Sequence, residues 1–466
     1  MHNLMFTSKG KCMRRRNYLI RTINHTRKIA GVLAAVAVFV GIVRCLNYIY
    51  VTEEDWGRIL WHNYYEDKGK IDNLYLGSSH VYCDLDPQLL DKLNGKYNFN
   101  LSTAGQLMNS TFYVLREAAQ QNNLSHVYVE LYYQRNTKKK DVNTDVSTWH
   151  NTDYMRPSIN RLACMISAME WENCVEFCFP FSRYRTKLGD WDYIETNVNY
   201  KKTEDYQDYQ FHTNLADDNG YDIYLTQGKF ASTKTLQDKD RIYEQDNILE
   251  KCPVSDLSKQ YLQMTIQYCQ KRNIPITLFV SPMDDLRLIS TLHYDNYVDE
   301  FREIAAAYEV PFYDFNLTKE EYLPIQSNEY HRDQHHLNSA GAEVFTSFFY
   351  QVVSGEEAEN AKYFHESYAD KLRESTPAIF GLYFNYSDNL DETSEAYKKM
   401  WIASNRETGM EYRIILTPAE GEPYMIQDFD ENKEFTVPAE ETGLCTIVAR
   451  MEDTPNDVVQ TMEINY

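Results

Sequence analysis

The sequence lacks the residue spacings that are typical of a metal site or of a disulfide framework. Its 466 residues contain nine cysteines, an odd number, without a pair of Cys-x-x-Cys units or a clustered His/Cys spacing. The pattern therefore predicts neither a metal site nor a disulfide-stapled domain. No long repeat and no low-complexity tract is present, and at this length two or three folded units are expected.

Positive charge is scarce outside the amino-terminal segment. The formal net charge is −22, and residues 1–28 carry eight lysines and arginines but no acidic residue. The rest of the chain therefore carries a net charge of −30. Such a charge makes nucleic acid an unsuitable partner for the body of the protein.

An apolar run follows these basic residues. Residues 29–43 are nearly all apolar, Arg44 interrupts the run, and residues 45–51 extend it. About 20 residues span a bilayer, so 29–51 is predicted to be a transmembrane anchor behind a basic cytoplasmic tail at 1–28. A cleaved signal peptide is the alternative, but no small-x-small site precedes the acids that follow. The charge asymmetry predicts a single-pass protein of the cell membrane, on a bacterial surface, with its carboxyl-terminal part outside.

Strands and helices alternate in two stretches of the chain, and this predicts an α/β fold with a parallel sheet. The predicted strands are 73–76, 97–101, 125–131, 274–280 and 310–315, and the predicted helices are 53–68, 87–93, 107–121, 257–272, 297–308 and 340–353. A polar and aromatic insertion at about 137–250 separates the two stretches, and insertions of this size usually form lids or binding walls. Short alternating apolar runs at 380–386, 412–417, 433–437, 444–451 and 458–464 predict an all-β sandwich at 375–466.

A candidate nucleophile follows the first predicted strand. The apolar run ends in Gly77-Ser78-Ser79-His80, and glycine permits the tight turn that leaves a hydroxyl at the carboxyl edge of a sheet. Ser79 is the favoured nucleophile and Ser78 the alternative. His80 is interpreted as structural, although it could also line the pocket.

A serine needs a base, and the motif Asp333-Gln334-His335-His336 contains one. An aspartate three residues before a histidine can hold one imidazole nitrogen, which leaves the other free to accept the serine proton. His335 is expected to face solvent or substrate. Taken alone, Asp333 and His336 could also be a helix cap with a neighbouring histidine. Asp284 and Asp285 could bind a metal, but an acidic helix start is the commoner explanation.

Together these motifs resemble those of the SGNH/GDSL hydrolase superfamily, over residues 70–353 without the insertion. The resemblance implies a three-layer, flavodoxin-like fold, with Ser79 as nucleophile, His336 as base and Asp333 as its orienting partner. It also implies an oxyanion site built from the backbone amides of Ser79 and Gly105, the latter in Asn100-Leu101-Ser102-Thr103-Ala104-Gly105. The family's third motif, Gly-x-Asn-Asp, is absent after the third strand. Its oxyanion donor is missing or is replaced by Gln134, Arg135 or Asn136, of which Asn136 is the candidate.

Within the superfamily the chain most resembles membrane-anchored members, the teichoic-acid D-alanyl transfer proteins and the O-acetyltransferases of exopolysaccharides. The resemblance implies a serine esterase or O-acyltransferase that moves acetyl or D-alanyl groups on a cell-surface glycan or teichoic acid of the cell wall. It implies no cofactor, and a multi-pass membrane acyltransferase as partner. The alternative hypothesis is a non-catalytic glycan-binding or assembly scaffold, favoured by the altered third motif.

Overall fold

The computed structural model describes residues 3–52, 55–136, 142–210, 220–247, 253–390 and 396–466. The chain divides into two compact units. The first contains residues 1–53 and 170–208, and the second contains residues 54–169 and 209–466. Side chains of residues 1–25, which include most of the predicted basic tail, lie outside the described part.

The strands follow one another along the chain as short elements before residue 320 and as longer ones after residue 378. In chain order they are β1 (Asn73–Leu76), β2 (Asn98–Asn100), β3 (His126–Glu130), β4 (Asp222–Tyr224), β5 (Phe230–Ser232), β6 (Ile242–Glu244), β7 (Asp246–Asn247), β8 (Ile276–Val280), β9 (Thr291–Leu292), β10 (Phe312–Asp314), β11 (Ile379–Leu390), β12 (Ala396–Ser404), β13 (Met410–Pro418), β14 (Tyr424–Asp430), β15 (Glu434–Pro438), β16 (Gly443–Met451) and β17 (Val458–Asn465).

The α-helices are confined to the part of the chain before residue 375. They are α1 (Asn3–Tyr50), α2 (Asp55–Glu66), α3 (Ser79–Asp84), α4 (Pro87–Asn94), α5 (Met108–Gln121), α6 (Tyr133–Asn136), α7 (Val142–Thr152), α8 (Ile159–Ala168), α9 (Cys174–Cys178), α10 (Trp191–Tyr200), α11 (Glu204–Gln207), α12 (Asp256–Gln270), α13 (Asp285–Ile289), α14 (Tyr294–Ala307), α15 (Ser339–Ser354), α16 (Glu357–Asn360) and α17 (Tyr368–Glu374). Short 3-10 helices cover Pro180–Lys187, Thr226–Gly228, Asp238–Asp240, Phe315–Leu317, Asn328–Tyr330 and Ala361–Tyr363.

A five-stranded parallel sheet forms the centre of the second unit. Its strands lie in the order β2-β1-β3-β8-β10, and every neighbouring pair is parallel. Counted within the sheet alone, this order is 2-1-3-4-5, which is the flavodoxin-like arrangement. The predicted α/β fold with a parallel sheet is confirmed.

Both faces of this sheet are covered, because successive strand residues point to opposite sides. On one face Leu74, Val127 and Leu278 belong to a buried cluster that also includes side chains of α5, α12 and α14. On the other face Tyr75 and Tyr128 pack with side chains of α3, α4 and α15. The fold therefore has three layers, as the sequence predicted.

The carboxyl-terminal strands form two antiparallel arrangements around one hydrophobic cluster. One sheet has the order β15-β12-β11-β6 and the other β14-β13-β16-β17. The sequence patterns missed β12 and β14; β14 is exposed on nearly all of its residues and so lacks an apolar alternation. Strand β6 comes from the insertion and pairs in parallel with β11, with Tyr243 opposite Tyr383.

The insertion does not form one element. Its segment 170–208 belongs to the first unit together with α1, whereas its flanking parts belong to the second. Within α1, the 25 residues Thr26–Tyr50 are long and apolar enough to cross a membrane. This stretch is a candidate for a membrane anchor or a signal sequence.

Candidate active site

The three site residues come from two loops, one after the first strand of the parallel sheet and one before α15. Ser79 is the first residue of α3, two residues after Gly77 and three after the last residue of β1. His336 lies in the loop before α15, and Asn338 caps that helix by accepting the Gly341 N–H at 3.1 Å. Asp333 is therefore not the helix cap considered from the sequence.

The structure brings Ser79, His336 and Asp333 into one hydrogen-bonded chain. The Ser79 Oγ lies 2.8 Å from His336 Nε2. His336 Nδ1 lies 2.9 Å from Asp333 Oδ1 and 3.0 Å from Oδ2. Since a carboxylate only accepts, Nδ1 carries a proton and donates it to Asp333, which leaves Nε2 to accept from the serine hydroxyl.

A tight turn fixes the Asp333 carboxylate. Its Oδ1 accepts the backbone N–H groups of His335 at 2.8 Å and His336 at 3.0 Å. Burial would raise the pKa of Asp333, but the adjacent His336 and these hydrogen bonds together hold it well below its usual value. The carboxylate is therefore ionised throughout the physiological pH range.

Ser78 points away from this chain and into the interior. Its backbone N–H and its hydroxyl both donate to Glu130 Oε2 at 3.1 Å. Glu130 ends β3 and is buried. Gly77, with φ +153°, passes so close that a Cβ there would stand 2.6 Å from the Glu130 Cβ and 2.8 Å from its Oε2. Glu130 thus anchors the turn that carries Ser79, and only glycine fits beside it.

His80 is fully buried beneath the site and is not a surface residue. Its Nδ1 lies 3.4 Å from Glu130 Oε1, and its ring contacts Tyr132 at 4.0 Å and His336 at 5.1 Å between centroids. The structural interpretation of His80 agrees with this position.

His335 is half-buried, and both of its ring nitrogens have hydrogen-bond partners within the protein. Its Nδ1 lies 3.0 Å from the Tyr132 hydroxyl, and its Nε2 lies 3.0 Å from the Tyr243 hydroxyl. Burial, together with the positive charge of Arg287, lowers the pKa of His335 to about 3. A neutral ring can donate to one tyrosine and accept from the other, so His335 joins the motif loop to the segment that follows β3 and to β6.

The loop that carries Gly105 is braced by the insertion. Asn151, on α7, donates to Thr103 Oγ1 at 2.8 Å and to Gln106 Oε1 at 3.0 Å. Gly105 lies in a turn with φ +60°. Within the described part of the chain, no hydrogen bond engages the N–H of Gly105 or of Ser79, so both are available to a ligand. This part of the insertion therefore supports the loop that carries Gly105 and does not act as a lid.

Asn136 is placed differently from the other candidate residues. Its side chain is buried, and Nδ2 donates to the carbonyl of Tyr132, the residue before α6, at 3.0 Å. One of its two amide hydrogens is therefore used next to its own helix. The side chains of Gln134 and Arg135 lie outside the described part of the structure.

Two hollows of different character lie in the second unit. A groove of about 370 Å³ borders the site and is lined by Asp240, Tyr243, Arg332, Asp333 and His335, among others. A larger cleft of about 540 Å³ contains none of the three linked residues. It is lined in part by two ion pairs, Arg241–Asp284 at 3.0 Å and Lys371–Asp285 at 2.8 Å.

These ion pairs account for the two aspartates that the sequence suggested as metal ligands. Asp284 also caps α13 by accepting the Leu286 N–H at 2.9 Å. Among the described residues no group of three or more His, Cys, Asp or Glu side chains is arranged to hold a metal.

Sequence reasoning missed Glu130, Asn151 and the two tyrosines on His335. A carboxylate at the end of the otherwise apolar third strand is a signal that could have identified Glu130, because burying a charge there requires partners. Asn151 lies in the insertion, and nothing in its neighbourhood along the chain indicates its contacts.

The chain was also compared with known proteins. No family model matches it, and no curated protein is significantly similar to it. Among solved structures it is similar to a candidate acylhydrolase from Bacteroides fragilis, at 11% identity and TM-score 0.29, over 65% of this chain and 98% of the other. It is also similar to a GDSL-like lipase from Bacteroides thetaiotaomicron, at 10% identity and TM-score 0.27, over 61% of this chain and 88% of the other.

Proposed function

We propose that this protein is an SGNH-type serine esterase or O-acyltransferase that acts on small acyl esters of a cell-surface glycan. The observation that supports this proposal is the continuous chain from Ser79 Oγ through the His336 ring to the Asp333 carboxylate. An activated serine needs a base at hydrogen-bond distance and a third group that orients the base, and these residues supply both.

In the first half of the reaction Ser79 becomes acylated. Its oxygen attacks the ester carbonyl carbon while its proton moves to His336 Nε2. The tetrahedral intermediate collapses, the bond to the alcohol oxygen breaks, and His336 returns the proton to the departing alcohol. Asp333 keeps Nδ1 protonated and stabilises the imidazolium that forms between the two steps.

The negative oxygen of the intermediate is assigned to the backbone N–H groups of Ser79 and Gly105. Ser79 begins α3, and the first N–H groups of a helix have no partner within it. Removing one oxyanion donor commonly lowers kcat by about 10²–10³-fold. Asn136, the candidate third donor, is buried and uses one of its two amide hydrogens on the Tyr132 carbonyl, so the proposal relies on the two backbone N–H groups.

In the second half an acceptor hydroxyl takes the acyl group from Ser79. Its proton passes to His336 Nε2, its oxygen attacks the acyl-enzyme, and the serine is regenerated. Water as acceptor gives an esterase, and a sugar hydroxyl gives a transferase. The groove beside Asp333 offers an approach for either acceptor. Acetyl and D-alanyl are the proposed acyl groups, and a surface glycan or teichoic acid is the proposed substrate.

The proposed location is the outer face of a membrane, with Thr26–Tyr50 as a single anchor. Six positive charges before this stretch, two more in its first turn and an acidic body after it favour that orientation. A multi-pass membrane acyltransferase would supply acyl groups across the membrane, where cytoplasmic acyl donors do not reach.

The test compares Ser79→Ala with Ser78→Ala in the full-length protein in detergent. A fluorophosphonate probe should label the wild type and Ser78→Ala but not Ser79→Ala, and acetyl-ester hydrolysis should follow the same order. Equal hydrolysis by the wild type and Ser79→Ala would contradict the proposal. A wild type that neither labels nor hydrolyses would favour the glycan-binding scaffold.

A further inference from the structure

The first unit contains a segment that clasps the end of α1. Residues 170–208 contribute a backbone N–H and two side chains that bond to polar atoms of α1. These contacts are Phe181 N–H to Asn47 Oδ1 at 3.0 Å, Asn197 Nδ2 to the Ile49 carbonyl at 2.8 Å, and the Tyr193 hydroxyl to the Tyr50 carbonyl at 2.7 Å. The last carbonyls of a helix lack partners within it, so this segment acts as its cap.

A buried lysine strengthens the cap. Lys201 Nζ lies 3.0 Å from the Tyr48 carbonyl and 2.6 Å from the Val51 carbonyl, and only 3% of the residue is exposed. A cation at the carboxyl end of a helix also interacts favourably with the helix dipole. The segment is thus fixed in position along α1.

One contact of this segment lies several turns before the carboxyl end of α1. The rings of Phe179 and Phe39 meet edge to face with centroids 6.0 Å apart. At 1.5 Å per residue, Phe39 lies about 16 Å from Tyr50 along the axis and about 8 Å below Arg44. If α1 crosses a bilayer, Phe179 therefore lies beside its apolar part, at a depth that lipid also occupies.

The same segment exposes large apolar side chains. Trp171 is 86% exposed, Trp191 76%, Leu188 60% and Val175 53%. Apolar groups in such number on one short segment commonly mark an interaction surface, and tryptophan is enriched at membrane interfaces. Phe179 links this segment to the apolar flank of α1, since its ring contacts Phe39 and its N–H donates to the Val175 carbonyl at 2.8 Å.

The charges of the segment are compatible with an interfacial position. Glu176, one turn from Phe179, pairs with Arg185 at 2.7 Å. The Arg185 side chain is mostly exposed, so its head can reach the polar headgroup layer while its stem covers apolar surface. Pairing reduces the cost of keeping a carboxylate near the acyl chains.

We infer that residues 171–191 form a monotopic membrane element that lies in the bilayer interface beside α1, with Phe179 and the exposed apolar side chains among the lipid chains. Amphipathic elements of this kind commonly enter the headgroup–acyl boundary by about 5–10 Å. This inference rests on the proposed membrane anchoring of α1. It assigns the exposed apolar side chains of this part of the insertion to lipid contact.

The depth of a native cysteine provides the test. Cys178, adjacent to Phe179, is free and exposed, whereas Cys83, Cys164, Cys269 and Cys445 are buried. With Cys12, Cys45, Cys174 and Cys252 replaced by serine, an environment-sensitive fluorophore is attached to Cys178. The full-length protein is then placed in nanodiscs of phosphatidylcholine and phosphatidylglycerol that carry a nitroxide near the top of the acyl chain.

Two further single-cysteine proteins provide reference values for the quenching of the fluorophore. One keeps Cys45 of α1 in place of Cys178, and the other carries Thr454→Cys, an exposed position of the sandwich, as its single reactive cysteine. We expect the lipid nitroxide to quench the Cys178 reporter at least half as strongly as the Cys45 reporter, and the Thr454 reporter at least fivefold less. Aqueous iodide should give the reverse order. Circular dichroism and gel filtration confirm that each labelled protein is folded.

The outcomes separate this inference from the proposal beneath it. Quenching at Cys45 together with a Cys178 reporter that behaves like Thr454→Cys would overturn the membrane element and leave the anchor intact. A face that docks only on another membrane protein gives this same result, because the nanodiscs contain no other protein. Absence of quenching at all three positions would overturn both. Neither outcome affects the labelling of Ser79, which tests the chemistry.

Discussion

The site consists of two layers that differ although their residues are neighbours along the chain. The reacting layer contains Ser79, His336 and Asp333, which are hydrogen-bonded to each other and partly exposed. The supporting layer contains Ser78, His80, Glu130 and His335. Ser78 precedes Ser79 directly, and His335 precedes His336 directly, yet each is bound on the opposite side of its loop. At a sharp turn successive side chains diverge, so one residue can react while its neighbour holds the loop.

The two histidines give the largest expected contrast. His336→Ala removes the base and should lower kcat for an acetyl ester by about 10⁴-fold or more. His335→Gln retains polar atoms for Tyr132 and Tyr243 and should lower kcat by less than about tenfold, because it acts only on the loop. Steady-state kinetics of the two variants measure this. Similar decreases in kcat for His336→Ala and His335→Gln would contradict the distinction between the reacting layer and the supporting layer.

Asp333→Ala should have the next largest effect. The base remains but loses the group that fixes its orientation and its Nδ1 proton, so kcat should fall by about 10⁴-fold. Asp240→Ala is the matched control, since Asp240 lines the same groove and its loss changes the net charge equally. If Asp240→Ala lowered kcat as much as Asp333→Ala does, the negative charge of the groove would be the cause, and not the contact between Asp333 and His336.

The variant Glu130→Gln tests whether Glu130 holds the turn that positions Ser79. Glutamine keeps the shape and can accept from Ser78 but loses the charge that strengthens both hydrogen bonds. We expect kcat to fall by about tenfold with KM within twofold, because the serine is less firmly placed while substrate contacts stay. Glu130→Ala should also lower the free energy of unfolding by about 3 kcal/mol, since it leaves two buried donors unpaired. Unchanged kcat in both variants would mean that other contacts hold the turn.

The smallest expected effect is a pH dependence of stability that comes from His335. Its folded pKa of about 3 lies below the value of 6.5 for an unperturbed histidine. Between these values the unfolded chain binds a proton that the folded protein does not, so stability falls as pH falls from 6.5 towards 3. From pH 7 to pH 5 the wild type should lose up to about 2 kcal/mol by this route.

His335→Gln should lack this loss. Urea unfolding at pH 7 and pH 5, followed by tryptophan fluorescence, compares the two proteins. The stability difference between them should shrink at pH 5, because only the wild type can protonate this position on unfolding. Parallel pH curves would show that His335 exchanges protons equally in both states.

The parallel sheet was predictable because its strands are buried on both faces and therefore read as short apolar runs. Strand β1 was predicted with its observed bounds. Ser79 follows from the glycine signal after this strand, and His336 follows from the Asp-x-x-His spacing. Strand β14 was missed, because an exposed edge strand has no such pattern. His335 was expected to face solvent or substrate, and it lines the groove; its partners Tyr132 and Tyr243 were not predictable, because they are separated from it by about 200 and about 90 residues.

The sequence alone determined the fold class, the apolar amino-terminal helix and the candidates for the reacting layer, with Ser78 left as an alternative to Ser79. These features depend on local periodicity, on apolar length and on side chains at strand ends. Only the tertiary structure decided the contacts beneath these features. It decided which serine faces His336 and that Glu130 binds the other serine. It also decided that one part of the insertion supports the Gly105 loop while another part caps the end of α1. Such contacts join residues far apart in the chain, and no local pattern records them.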